Sequence, residues 1–178
     1  MSYFSRFPKI TYDIAGTGDY ILVTDIIKRI KIRDGIKENL SLFDTYDVQG
    51  GETPETVAYK IYGDTNYHWV ILIMNNITDR YFDWPLSDSM FETYVTNKYA
   101  EPGAIHHYEV TQSSGRTTSN GPDDYSHRIE VNSDASGAQS VSNYEYERRI
   151  QDQLRQIKLL NPDYLPAFEK EFNKLISI

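Results

Sequence analysis

The chain has 178 residues, a formal net charge of -8 and no cysteine. The absence of cysteine excludes disulfide bonds, thiolate zinc sites and cysteine nucleophiles, and the negative charge disfavours non-specific binding to nucleic acid. No apolar stretch approaches the roughly 20 residues that a membrane helix needs. The 15 tyrosines favour an interaction protein, because a tyrosine offers a partner a large rigid face with a polar tip.

The N-terminal stretch is predicted to be an arm followed by a short helix. Residues 1–23 carry aromatic side chains with scattered proline and glycine, a pattern too aromatic for a solvated tail and too broken for a helix. We therefore expect an extended arm with some strand, partly disordered at residues 1–20 in the isolated chain. Thr24 then caps a predicted helix over residues 25–31, and the helical pattern weakens towards Leu42.

The centre of the chain shows the most regular pattern. The TYDVQ stretch alternates like a strand and ends at a Gly-Gly pair. Thr53 and Pro54 then begin a predicted helix that Gly63 ends, since these residue types suit an N-cap, a first helical position and a left-handed C-terminal position. Asp64 caps a second predicted helix that runs to about Met74.

This second helix is predicted to be apolar nearly all round. One face can be covered by the preceding strand and helix, whereas the other must be covered by the rest of the chain or by a partner. The first face carries Tyr67, Val70, Ile71 and Met74, and the second carries Trp69, Leu72 and Ile73.

An aromatic turn containing Pro85 follows, and Ser87 or Asp88 caps a third predicted helix that ends near Tyr99. Beyond it, HHYEV and HRIEV alternate like the two strands of a hairpin. The polar segment between them, residues 112–126, lacks the apolar content to pack, so we expect it to protrude and to be partly disordered in the isolated chain.

The C-terminal part is helical by pattern. Asn143 caps a predicted helix that continues to residue 160, where Asn161 and Pro162 end it, and Asp163 begins a second amphipathic helix. Such a pair packs on the core or docks in a partner's groove. The apolar stripes are Tyr146, Ile150, Leu154 and Ile157 in the first helix and Leu165, Phe168, Phe172 and Leu175 in the second.

These elements predict the α+β class and four segments. The segments are residues 1–45, an N-terminal arm with a short helix; 46–100, a compact core with the helix that follows; 101–142, a hairpin with a polar loop; and 143–178, a helical segment.

Motifs in the second segment resemble the LysM module, a small βααβ unit known mostly for binding N-acetylglucosamine polymers. They are Val48-Gln49-Gly50-Gly51-Glu52-Thr53, Val57-Ala58, Tyr62-Gly63 and Asn75 with Ile77. The longer string GGETPETVAYKIYGDTNYHWVILIMNNI, followed by Asp83-Trp84-Pro85-Leu86, is more specific and resembles the LysM-like baseplate wedge protein 53 family of contractile-tailed bacteriophages. The similarity extends from Phe7-Pro8 and Tyr12 to Asn143-Tyr144-Glu145-Tyr146-Glu147 and covers most of the chain.

The resemblance implies a LysM-like βααβ core with an extended N-terminal arm, a β-hairpin insertion and C-terminal amphipathic helices. It implies a non-enzymatic structural protein of the virion tail baseplate, assembled in the host cytoplasm, without cofactors, nucleic acid or membranes. Its partners would be other wedge scaffold proteins, the sheath-initiating subunit and neighbouring wedges of a six-fold ring around the central hub. The alternative is a LysM protein that binds peptidoglycan at the bacterial cell wall, and a weaker third option is a tail lysozyme.

The resemblance also maps a vestigial glycan groove. In carbohydrate-binding LysM modules, glycan lies between the loop before the first helix and the loop after the second. The turn at residues 78–86 replaces the usual approach to the second strand, so one wall of the groove is changed and Trp84 is placed to fill it from within. The mapped positions are Gly51, Glu52, Thr53, Asn75, Asn76 and Ile77.

No residue pattern predicts catalysis. His68 has no nucleophile beside it in a recognisable motif, and His127 is isolated. His106 and His107 would point to opposite faces of a strand and so would not bind one metal ion together. With 26 acidic residues, a carboxylate pair for a glycosidase can always be chosen, so that pairing carries no information.

Aromatic and apolar residues of the arm, the second helix, the turn and the C-terminal helices are candidate partner-interface residues. For Trp69 core packing is favoured, and for Trp84 core packing and an interface are both open. The candidates are Tyr3, Phe4, Phe7, Trp69, Trp84, Tyr146, Ile150, Leu154, Phe168 and Phe172.

Overall fold

The computed structural model describes residues 3–32, 41–116 and 118–177. Within them helices and strands are mixed, which confirms the predicted α+β class. The helices are α1 Pro54–Tyr62, α2 His68–Met74, α3 Asp88–Lys98, α4 Asn143–Arg155 and α5 Leu165–Ile176, with 3-10 turns at Tyr3–Arg6, Thr65–Tyr67 and Pro162–Tyr164. The strands are β1 Lys9–Tyr12, β2 Ile21–Thr24, β3 Phe43–Asp47, β4 Ile105–Gln112, β5 His127–Val131, β6 Gln139–Ser142 and β7 Gln156–Leu160.

The described residues pack into two compact units. The first combines Met1–Pro85 with Leu154–Ile178, and the second is Leu86–Gln153. The first contains two antiparallel strand pairs, β1 with β2 and β3 with β7, and the second contains an antiparallel sheet in the order β5-β4-β6. In sequence, the second unit is therefore an insertion between α2 and β7. The four-segment division stays a prediction.

Strand β3 and helices α1 and α2 follow one another in the first unit, β7 pairs with β3 from far along the chain, and local sequence sets the helix ends. Thr53 Oγ1 accepts a hydrogen bond from the Thr56 amide at 3.3 Å, and Thr56 Oγ1 accepts one from the Thr53 amide at 2.9 Å, which closes a capping box at the start of α1. Gly63 ends α1 with a φ of 74°. Asp64 caps the turn that leads into α2 by accepting from the Asn66 amide at 2.9 Å. The predicted caps at Thr53 and Gly63 are confirmed, whereas Asp64 caps the 3-10 turn before α2, which itself begins at His68 without a side-chain cap.

Helix α2 is buried on both sides. On one side, Ile71 packs against α1 and β7. On the other, Trp69, Val70 and Met74 pack against Phe7 and against α5, where the rings of Trp69 and Phe172 lie 4.6 Å apart. The helix is therefore apolar on both sides, but the predicted division of its faces is wrong: Val70 and Met74 lie with Trp69 on the side covered by the arm and α5, whereas Leu72 packs on the side of Ile71.

The helix predicted from Asn143 to residue 160 is wrong beyond Arg155. Residues Gln156–Leu160 form β7, which pairs with β3 over its whole length. Ile157 fits both a helical and an alternating pattern, and the strand prevails because Ile157 and Leu159 reach the hydrophobic core when β7 pairs with β3. Strand β7, the partner of β3 in the first unit, therefore follows the second unit in sequence.

The predicted helix over residues 25–31 is not formed. The Asp25 amide donates to the Pro8 carbonyl at 2.9 Å and so extends the pairing of β1 with β2, and residues 25–32 contain a turn but no helix. The part of the predicted stretch towards Leu42 that covers residues 33–40 lies outside the described residues.

Two further details of the C-terminal helices differ from the prediction. Ser142, not Asn143, caps α4, because Ser142 Oγ accepts a hydrogen bond from the Glu145 amide at 3.1 Å. In α5, Ile176 is buried in place of Leu175, which is 45% exposed.

The second unit confirms the predicted third helix and hairpin. Ser87 caps α3, and β4 pairs with β5 from Tyr108–Val131 to Gln112–His127. Strand β6, which pairs with the other edge of β4, was not predicted because its QSVS sequence carries a single buried apolar residue, Val141.

A buried carboxylate anchors α4 in this unit. Glu147 is 2% exposed and accepts hydrogen bonds from Lys98 Nζ at 2.8 Å and from the Tyr99 hydroxyl at 2.7 Å. Burial alone raises the pKa of Glu147, but the hydrogen bonds from Lys98 and Tyr99 outweigh it, and the pKa lies below the ordinary glutamate value. The carboxylate is therefore ionised at neutral pH.

We expect Glu147→Gln to lower the free energy of unfolding by about 1.5–3 kcal/mol at pH 7, the usual contribution of a hydrogen bond to a charged group. Because the pKa of Glu147 is lowered on folding, its contribution is present above the ordinary glutamate pKa and is lost as the pH falls through the folded value. Urea denaturation at pH 7 and at about pH 3 should show the difference between the two chains shrinking in acid. The exposed Glu101→Gln is the control, with a change of about 0.5 kcal/mol or less; an equal difference at both pH values would contradict the assignment.

Candidate docking surfaces

The positions mapped to a glycan groove have their polar groups engaged within the chain, and Glu52 is the clearest case. Its carboxylate accepts hydrogen bonds from the Tyr46 hydroxyl and the Gln49 amide, each at 2.9 Å, and forms an ion pair with Lys60. Burial raises the pKa of Glu52, while these donors lower it to a net value below the ordinary one. The carboxylate is therefore held ionised by donors from its own chain.

Asn75 links the loop after α2 to the return strand. Its Nδ2 donates to the carbonyls of Ile71 at 2.9 Å and Lys158 at 2.8 Å, and its Oδ1 accepts from the Lys158 amide at 2.8 Å. Both ends of the carboxamide thus form hydrogen bonds to the backbone. Through them Asn75 connects strand β7 to the C-terminal end of α2.

The other four mapped positions also serve the fold. Thr53 caps α1, and Gly51 forms the preceding turn with a φ of 82°. Asn76, with a φ of 57°, accepts a hydrogen bond from Arg29 Nη2 at 3.0 Å. Ile77 packs against the cluster beneath the two helices. Each position therefore has a structural role that is independent of any glycan.

Trp84 lies in the same cluster and contacts the loop before α1. Its ring is 6% exposed, and its Nε1 donates to the Glu52 carbonyl at 2.8 Å. Of the two roles left open for Trp84, the geometry corresponds to core packing. The indole thereby joins the turn at residues 78–86 to one of the two mapped loops.

The predicted partner-interface residues differ widely in exposure. Four of them, Phe7, Trp69, Trp84 and Phe172, are at most 6% exposed and hold the first unit together. Phe4 is 55% exposed and is the one of the ten that presents most of its ring to solvent. The other five, all half-buried, are Tyr3, Tyr146, Ile150, Leu154 and Phe168. Their role in an interface stays a prediction.

The arm carries the greatest concentration of exposed apolar side chains in the described part of the chain. Of 17 large apolar side chains that are exposed, nine lie between residues 4 and 27. Exposed apolar surface that is clustered in this way is typical of interaction sites. The nine are Phe4, Ile10, Tyr12, Ile14, Tyr20, Ile21, Leu22, Ile26 and Ile27.

The β1–β2 hairpin within this arm has one wholly apolar face. Directly opposed residues of antiparallel strands point to the same side, and the register pairs Ile10 with Val23 and Tyr12 with Ile21. The hairpin is a two-stranded sheet, so neither outer edge is paired with a further strand of the described chain. Two-stranded hairpins are marginally stable alone, and a third strand or a packed layer stabilises them.

The tip of the hairpin is nevertheless fixed. The carboxylate of Asp13 accepts hydrogen bonds from the amides of Ala15 at 3.1 Å, Gly16 at 2.7 Å and Gly18 at 2.7 Å. These bonds, that of Gly18 foremost, lower the pKa of Asp13. A turn restrained in this way by its own side chain loses less entropy on docking than a flexible one. The expected partial disorder of residues 1–20 in the isolated chain stays a prediction.

The histidines give no sign of chemistry. The prediction that His106 and His107 point to opposite faces is wrong: their Nδ1 atoms lie 2.9 Å apart, because the strand register shifts between Ile105 and His107 and rotates the backbone. The His106 ring stacks on Tyr146 at 3.9 Å. His68 Nδ1 lies 3.0 Å from the Thr65 carbonyl. No group of three or more His, Cys, Asp or Glu in the described residues could hold a metal ion.

None of the helices in the described ranges is both long enough and apolar enough to cross a membrane.

Comparison with known proteins places the chain among the structural proteins of phage tail baseplates. A family model described as base plate wedge protein 53 matches residues 2–117, which include the hairpin, α1, α2 and α3. The chain belongs to the base plate wedge protein 53 family. It is 33% identical over 85 residues to the baseplate wedge protein gp53 of Enterobacteria phage T4, a match that covers 47% of this chain and 42% of that protein. The matched region thus spans less than half of the length of this relative.

We expect Trp84→Ala to lower the free energy of unfolding by about 3–5 kcal/mol, since it removes a buried indole and leaves a cavity. Trp84→Phe keeps one aromatic ring but loses the hydrogen bond to Glu52 and part of the indole volume, so a smaller loss of about 1–3 kcal/mol is expected. Urea denaturation followed by circular dichroism measures both. Phe82→Ala, at a ring that is 75% exposed in the same turn, is the control and should change stability by about 0.5 kcal/mol or less. A Trp84→Ala chain as stable as the control would show that the indole is not part of the core.

Proposed function

We propose that the chain is a docking component of the baseplate wedge, which joins other wedge scaffold proteins and the sheath-initiating subunit and helps neighbouring wedges close into a six-fold ring around the central hub. Membership of the base plate wedge protein 53 family supports the baseplate role. The work of the protein is area burial without catalysis. Assembly takes place in the host cytoplasm before the baseplate becomes part of the virion.

The observation that carries this proposal is the apolar hairpin of the arm. It exposes Tyr12 at 55% and Ile21 at 47% on one face, although its tip is locked by Asp13. A restrained turn that carries exposed apolar strands is suited to docking, because little conformational entropy is lost when a partner covers it. The hairpin also lies within the part of the chain that the family model matches.

The hairpin face supplies part of a specific interface. It holds four side chains, Ile10, Tyr12, Ile21 and Val23, whereas each partner contributes roughly 800 Å² to a standard interface, so the proposed docking includes further contacts of the arm. Repetition around a closed ring would then add the contacts of several wedges.

We further propose that the mapped groove positions support the fold and do not bind peptidoglycan. Their polar groups already have partners in Lys60, Lys158 and Arg29, and a glycan would have to displace those hydrogen bonds. Trp84 occupies apolar space next to the loop before α1.

Two separate variants, Tyr12→Glu and Ile21→Glu, test the docking surface. We expect each to fold with a change in unfolding free energy of about 1 kcal/mol or less, because both side chains are substantially exposed. Each should reduce incorporation into assembled baseplates about tenfold or more, since a charge at the centre of an apolar interface costs at least about 1.4 kcal/mol. The measurement is the amount of the chain that co-sediments with baseplates when phage lacking it are complemented by each variant.

Tyr59→Glu is the matched control, because Tyr59 is 63% exposed on α1, away from the arm in sequence. It should leave incorporation unchanged. Incorporation of the hairpin variants at the level of this control would refute the hairpin as a docking surface, and absence of the unmodified chain from baseplates would refute the wedge role itself.

A pull-down on purified peptidoglycan tests the alternative role at the cell wall. We expect no saturable binding by the unmodified chain. Saturable binding that is lost in Asn75→Ala and Glu52→Ala chains that remain folded would overturn the assembly proposal in favour of glycan recognition.

A further inference from the structure

An open groove of about 450 Å³ lies between the N-terminal turn, the segment after β2 and one side of α2. It is distinct from the apolar face of the hairpin, although Phe4, Ile26 and Ile27 belong to both the groove and the exposed arm. The remaining lining residues are Tyr3, Phe7, Lys28, Arg29, Ile30, His68, Trp69, Leu72, Ile73, Asn76, Ile77 and Thr78.

The walls of this groove are apolar. Leu72 and Ile73 of α2 are half-buried and line it, while Phe4 and Ile27, which are 55% and 88% exposed, stand at its edge. Apolar surface of this kind is costly to leave in water. Its burial under an apolar side chain of a partner would be favourable.

The charge of the groove is opposite to that of the chain. Lys28 and Arg29 line it, and none of the lining residues in the described ranges is acidic, although the whole chain has 26 acidic against 18 basic residues. Arg29 donates one hydrogen bond to Asn76, and its positive charge helps to lower the pKa of Asp83. The Asp83 carboxylate itself accepts hydrogen bonds from the amides of Thr78 and Asp79. Lys28 has no ion pair among the described residues. A net cationic rim therefore surrounds an apolar floor.

We propose that this groove binds an acidic, apolar segment of another baseplate protein, with an apolar side chain against Leu72 and Ile73 and a carboxylate at Lys28 and Arg29. The inference rests on the proposed function in one respect: the partner is taken to be a component of the same assembly. It adds the chemistry of the partner segment, which the docking role alone does not specify.

A second copy of the chain fits the groove less well. The exposed apolar side chains that a copy has to offer lie mainly on its hairpin, which carries Asp13, Asp19 and Asp25 against Lys9. Each of these carboxylates already accepts a hydrogen bond within its own arm: Asp13 from the Gly16 and Gly18 amides, Asp19 from the Thr17 hydroxyl and Asp25 from the Ile27 amide. A carboxylate of a second copy would have to give up these bonds to reach Lys28 and Arg29.

Site-specific photo-crosslinking in assembled tails identifies the occupant. Ile27 is replaced by p-benzoylphenylalanine, tails are irradiated, and the crosslinked peptide is sequenced by mass spectrometry. We expect a peptide from a different baseplate protein that carries an Asp or Glu within a few residues of its crosslinked apolar side chain. The same photoreactive residue at Tyr59, which is comparably open to solvent at 63% exposed, is the control and should not capture that peptide.

Charge reversal completes the experiment. Lys28→Glu together with Arg29→Glu should lower the yield of the Ile27 crosslink several-fold, whereas Lys60→Glu should not. Capture of a second copy, capture of a segment without acidic residues, or a crosslink that survives the reversal would each overturn the proposal. Detection of the chain in tails without any intermolecular crosslink from Ile27 would overturn the groove proposal alone, whereas absence of the chain from tails would refute the proposed function.

Discussion

The burial of α2 on both sides is the constraint on which the first unit depends. A helix that carries Ile71 on one side and Trp69, Val70 and Met74 on the other needs two covers, and a βααβ unit has only one to offer. The chain supplies the second cover from its two ends: Phe7 from the arm and Phe172 from α5. The N-terminal arm is therefore anchored at its base, and the hairpin that follows is held at a defined place while its own strands stay uncovered.

Local signals in the sequence were sufficient for the centre of the fold. Thr53, Gly63 and Asp64 act within a few residues of the helix ends that they define, so their roles are visible without knowledge of distant contacts. Strand β7 was missed because its identity depends on β3, and Ile157 satisfies either periodicity until that pairing is known. The twist of His106 beside His107 was missed for the same kind of reason, since a register shift is a property of two strands and not of one.

The candidate docking surface was only partly predictable. Trp69 and Phe172 were selected as interface candidates because they are aromatic. Residue type does not predict burial, however, and both rings are buried in the core of the first unit. The hairpin surface rests instead on residues such as Ile10 and Ile21, which in sequence look like ordinary strand residues. Their significance appears only when the register places them on one face with nothing in the described chain above it. The available signal was the alternation of Ile10, Tyr12 and Ile14 with polar residues in the arm.

The position of the return strand also orders the folding of the chain. Phe43 pairs with Leu160, 117 residues further along, so β3 has no partner until the whole inserted unit has been synthesised. The inserted unit, with its nearer strand pairings, is able to form first. The outer side of α2 then stays uncovered until α5 arrives. The base of the arm is therefore anchored only in chains that extend through α5, and a chain that stops before α5 lacks the scaffold that presents the hairpin.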